Sequence, residues 1–184
     1  MQKASQAASR EIDQRIQTAQ REATPDKSAT EILMQQSQDD VATELKGLAT
    51  DKEKRVAASN MFFGAYFLNI RTRSEYCRTL GVSIPTFVTA YKRKHRDLFA
   101  AAERYQIEDF REHGYRYDID KLYKMMQPSM DKVIALDMED IASTLHVSER
   151  EACSLFEQNA DAVVDEMDLR KRMPEVAQIL LAGH

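Results

Sequence analysis

Apolar positions fall at helical spacing in one segment of this chain after another. Met34, Val41, Leu45 and Leu48 mark one face of a helix over about 29–49, and Ser28 with Glu31 spells the capping box that opens it. Thr50 with Glu53 repeats that signature. The segment that follows, 51–71, carries Val56, Met61, Phe62, Phe63, Tyr66, Phe67 and Ile70 around most of its circumference. A helix apolar on nearly every side has to be buried, so this segment belongs at the centre, where Gly64 admits a close neighbour and Asn60 needs a hydrogen-bond partner.

Thr72 with Glu75 reads as a third capping box, opening a short helix that Gly81 ends. Ser83 then caps a helix with Pro85 in its first turn. Phe87, Tyr91, Leu98, Tyr105 and Phe110 keep helical spacing, which predicts one long helix, straight or bent, over about 84–112. Asp118 caps a short helix that ends before Pro128, and Ser129 starts another through Leu145. Ser148 with Glu151 is a fourth capping box, for a helix through about Met167, and Pro174 to Leu181 is a last helix docking by Val176, Ile179 and Leu180. Residues 1–23 offer only Ile12 and Ile16 as sizeable apolar anchors, and Thr24-Pro25-Asp26-Lys27 is a break. That predicts a polar arm, which frays in water or lies against a partner.

Five glycines and four prolines in 184 residues are too few for a strand-rich fold with its many turns. The expectation is an all-α protein, a single compact multi-helix bundle with a loose N-terminal helical arm: residues 1–27 the arm, 28–184 the helical domain. No apolar run approaches the ~20 residues of a membrane-spanning helix, so no membrane role is expected. The first residues lack a signal peptide's apolar region, which implies the cytoplasm if Met1 is the native start, and the periplasm or exterior if a signal has been removed. Cys77 and Cys153 read first as two buried small hydrophobes; a bridge stays open if the segments carrying them pack face to face.

Those segments follow one plan. Thr79, Leu80, Val82 and Ser83 recur as Thr144, Leu145, Val147 and Ser148, each set leading into a helix-prone run, which gives two similar units over 72–112 and 129–168. Residues 73–92 resemble a helix-turn-helix, with Tyr76, Cys77, Leu80, Gly81, Val82, Phe87 and Ala90 where that motif takes apolar, small or turn residues. The resemblance implies a recognition helix from Ser83 to Lys92. Arg71, Arg73, Arg78, Lys92, Arg93, Lys94 and Arg96 gather there against Glu75 alone, and are the candidate partner- or phosphate-binding residues. Base-reading positions, however, would be Ile84, Pro85, Thr86 and Thr89, which lack the paired donors and acceptors of direct readout. The second unit is acidic, ten carboxylates against Arg150 between Asp137 and Asp168, so the two units could pair within one molecule or between two copies.

Asp109, Glu112 and His113 are the one cluster with metal-ligand spacing, and His95, His146 and His184 supply no matching half. No cofactor is expected. Leu122, Met125, Met126 and Met130 are candidates for an adaptable groove that receives a partner helix. The leading functional expectation is a non-enzymatic helical protein–protein interaction module, an adaptor, assembly factor or inhibitor, whose partner is another protein or a second copy of itself. A helix-turn-helix DNA-binding protein using residues 83–94 is the alternative, with nucleic acid as partner, and a metal-dependent helical enzyme the remote one.

Overall fold

A computed structural model of the protein describes residues 2–24 and 26–182; Pro25 of the expected break and His184 lie outside them. The architecture is all-α, and among the described residues the only β pairing is an isolated bridge between Thr24 and Lys27. Among the described residues no helix is long and apolar enough to cross a membrane.

The chain begins with α1 (Gln2–Glu22), which runs along α2 (Ala29–Gly47) and α7 (Ile119–Leu145). Ala19, Ala29, Ile32 and Leu136 form a small apolar cluster of their own there, with Ile16 and Leu33 packed against it. α3 (Asp51–Phe67) is the expected central helix. Phe62, Phe63 and Phe67 are at most 1% exposed, and their rings join Tyr66, Tyr91, Phe99 and Tyr123 in one aromatic core. The capping boxes at Ser28, Thr50 and Ser148 are all present, each with the reciprocal bond from its glutamate.

The expected box at Thr72 does not form. α3 continues without a break through a π-helical turn, Leu68–Thr72, into α4 (Arg73–Thr79). Thr72 has helical backbone angles and a buried side chain, and Glu75 accepts a hydrogen bond from the Tyr123 hydroxyl instead. Burial decides this: apolar residues flank the position on both sides, so continuing the helix keeps more surface from water than a cap would satisfy.

Three further boundaries differ from the sequence reading. The helix expected over 84–112 is two, α5 (Pro85–Lys94) and α6 (Arg96–Glu112), parted at His95, whose ring turns inward. The helix after Ser148 likewise divides at Asn159 into α8 (Glu149–Gln158) and α9 (Ala160–Glu166). Pro128, by contrast, stops nothing, and α7 runs through it from an Asp118 cap. Pro128 and Lys124 are exposed, so the carbonyl left without its amide meets water, while Tyr123, Met130, Ile134 and Met138 hold the buried face on either side. The chain closes with a short α10 (Leu169–Arg172) and α11 (Pro174–Leu181), which lies on α3 and α6.

Candidate functional site

The two similar units fold alike. Gly81 and His146 both take the left-handed conformation, at φ of 77° and 54°, and both turns close the same way, Val82 N–H to Cys77 O at 2.9 Å and Val147 N–H to Ala142 O at 3.0 Å. They also pack on each other. A disulfide joins Cys77 on α4 to Cys153 on α8, which corrects the reading of two separate buried thiols. The reason is tertiary: the units meet face to face with both cysteines in the seam, and Tyr76 adds a hydrogen bond to Glu149.

The acidic unit caps the start of the expected recognition helix, whose Pro85, Thr86 and Thr89 stay exposed. Ser83 is not its cap. The Glu157 carboxylate takes that place, accepting the amides of Thr86 at 2.9 Å and Phe87 at 3.3 Å and the Thr86 hydroxyl. Partial burial raises the Glu157 pKa, but these donors outweigh it and hold the carboxyl below its ordinary value. Arg93 pairs with Asp161 at 2.7 Å and Lys94 with Asp165 at 2.6 Å. Exposed pairs of this kind add little stability, yet they neutralise the field that phosphates would feel. Of the remaining candidate phosphate ligands, Arg71 pairs with Asp120 and lies over the rings of Phe67 and Tyr123. Arg73 is buried, while Arg78, Lys92 and Arg96 are exposed with no ion pair among the described residues.

The four α7 candidates are not one groove. Met125 is 54% exposed, Leu122 is packed on the core, and Met126 lies over Gly64, its Cε 3.1 Å from where a Cβ would stand. Only Met130 borders the feature that the structure does contain, an open hollow of about 610 Å³ between α1, α2, α3, α7, α10 and α11. Met34, Met61, Met130, Met167 and Met173 all line it, with Val41, Leu68, Val133 and Val176. The volume is in the range of ligand and side-chain pockets, and methionine gives such a wall an adaptable shape. Sequence reading missed four of these methionines because they come from separate helices, and no spacing along one helix connects them.

The floor of the hollow is the π turn. Its Asn69 donates to Tyr91 Oη at 3.2 Å and to Ala65 O at 2.9 Å, and accepts from Arg73 Nε at 3.2 Å. Arg73 in turn pairs with Asp137 at 2.6 Å and lies over the Phe156 ring. A buried guanidinium needs both the ion pair and its other hydrogen bonds met, and the extra residue of the π turn sets Asn69 where it can do so. α1 forms one wall by Ile12 and Ile16, held by Arg15 to Asp40 and Lys132 to Asp13. Lys171 and Arg172 of α10 stand at the rim too, the Arg172 carbonyl accepting from Gln38 of α2 at 2.8 Å.

His113 lies 3.5 Å from Asp109, and among the described residues no three His, Cys, Asp or Glu side chains stand close enough together to hold a metal ion. Compared with known proteins, the chain matches no family model, no curated protein and no solved structure.

Proposed function

We propose that this chain is a non-enzymatic helical interaction module, acting as an adaptor, assembly factor or inhibitor, whose partner is another protein or a second copy of itself. The binding surface in this reading is the methionine-lined hollow. The observation that carries it is the way α1 already sits there: a helix whose Ile12 and Ile16, one turn apart, border an apolar concavity that it leaves unfilled. Recognition of an apolar helix face in a groove uses that same arrangement of anchors.

The helix-turn-helix DNA-binding reading is the weaker proposal. In its favour is the turn at Gly81 between α4 and α5; against it weigh the Glu157 cap on α5 and the carboxylates paired with Arg93 and Lys94. Site-specific photo-crosslinkers in the full chain separate the two. A crosslinker replacing Gln38 at the hollow should capture a discrete partner, and capture should vanish when Met61→Lys is added. Capture of nucleic acid from Lys92 instead, with salt-sensitive retention on duplex DNA, would reverse the order of the two proposals.

A further inference from the structure

The charges around the hollow are unevenly answered. Arg73 on the floor is matched by Asp137, and Arg15 on the α1 side is shared by Glu11 and Asp40. Lys171 and Arg172 on the α10 rim have no carboxylate within ion-pair distance among the described residues. Each makes one hydrogen bond to the end of α9, Lys171 Nζ to Asp165 O at 3.1 Å and Arg172 Nε to Glu166 O at 3.0 Å. An ammonium has three donors and a guanidinium five, so both keep donors directed elsewhere. Arg172 is half-buried, with Nη1 3.7 Å from the Met34 sulfur of α2, which puts its charge at the edge of apolar surface. Glu175 borders the hollow on this rim, and the exposed Asp165 and Glu166 lie behind the two cations at the end of α9.

Resting on the reading of the hollow as the binding surface, we infer that its occupant is an amphipathic helix of a partner protein, acidic along the edge that meets Lys171 and Arg172. Its apolar stripe enters beside Met34, Met61 and Met173, and its carboxylates meet the two cations of α10. Those two cations set which edge of the helix is acidic. Charge arranged in this way selects partners more than it adds affinity.

The test uses the full-length protein and three labelled alanine–leucine helices of about 16 residues, long enough to hold helical structure when bound. They share one leucine stripe and differ only in flanking residues: glutamate, glutamine or lysine. Fluorescence anisotropy should rank them in that order, with the glutamate helix binding about tenfold more tightly than the glutamine one. Lys171→Glu with Arg172→Glu, both on the rim, should invert the ranking. Met61→Lys and Met173→Lys, checked by circular dichroism, should weaken all three helices. Equal binding of the glutamate and glutamine helices, lost in both methionine variants, would overturn the acidic partner and leave the groove standing. No binding by any helix, or binding indifferent to Met61 and Met173, would overturn both. Displacement of the glutamate helix by stoichiometric dodecanoate would assign the hollow to a small anionic amphiphile and overturn the helix.

Discussion

The Nε2 of His95 accepts the backbone N–H of Leu169 at 3.0 Å, while Nδ1 of the same ring lies 2.9 Å from the carbonyl oxygen of Tyr91. One imidazole thereby ties the break between α5 and α6 to the start of α10, and it can do so only as the neutral ring that donates from Nδ1 and accepts at Nε2. The ring is fully buried, and burial, partly opposed by the Tyr91 carbonyl and Asp168, lowers its pKa below the ordinary imidazole value.

A group whose folded pKa is depressed stabilises the fold above its unfolded pKa and loses that contribution as pH falls through the folded value. Stability should therefore begin to decline below about pH 6.5, before the carboxylates titrate. Urea unfolding across that window should show a slope in the native protein and none in His95→Gln. His95→Leu should in addition be destabilised by about 2 kcal/mol at neutral pH, because it leaves the Leu169 amide buried without its acceptor. Equal slopes in both proteins would show that His95 does not titrate with folding.

Glu157 predicts a second, lower window. Its carboxyl is held below the ordinary range by the Thr86 and Phe87 amides, so its contribution is present above the unfolded glutamate pKa and disappears as pH falls through the lowered folded one. Glu157→Gln should cost about 1 kcal/mol, typical of a lost helix cap. Hydrogen exchange at the Thr86 and Phe87 amides should accelerate while Leu98 on α6 is unchanged. If Ser83 can resume the capping role, exchange will not change.

His146 is the only non-glycine residue at positive φ among the described residues, and it holds the turn that Gly81 holds in the other unit. His146→Gly removes the strain of a side chain in that conformation, with an expected gain of up to about 1 kcal/mol. Its side chain is exposed, so little packing is lost. A lower melting temperature would mean that the imidazole makes a contact of more value than the strain it bears.

The disulfide encloses a loop with a sequence separation of 76, and a crosslink of that span stabilises by roughly 4 kcal/mol, chiefly by restricting the unfolded chain. Cys77→Ala with Cys153→Ala should lower unfolding stability by about that amount. Both sulfurs are buried, so reductant should act on the native protein only as fast as it opens. Intact mass after alkylation, with and without denaturant, checks this: rapid labelling of native protein would contradict the buried seam.

What the sequence determined here was local. Ser28, Thr50 and Ser148 cap with their glutamates because both partners lie within one turn of chain, and the aromatic crowding from Phe62 to Phe67 required burial wherever the segment went. Gly81 foretold its turn because a left-handed residue follows from backbone sterics alone. Tertiary structure decided the rest. It ran α4 on from α3 through Asn69, since a satisfied buried Arg73 depended on Asp137 from α7, 64 residues away. It replaced Ser83 with Glu157, joined Cys77 to Cys153, and assembled the hollow from methionines on separate helices. Each of those outcomes depends on which faces meet, and helical periodicity states only that a face exists.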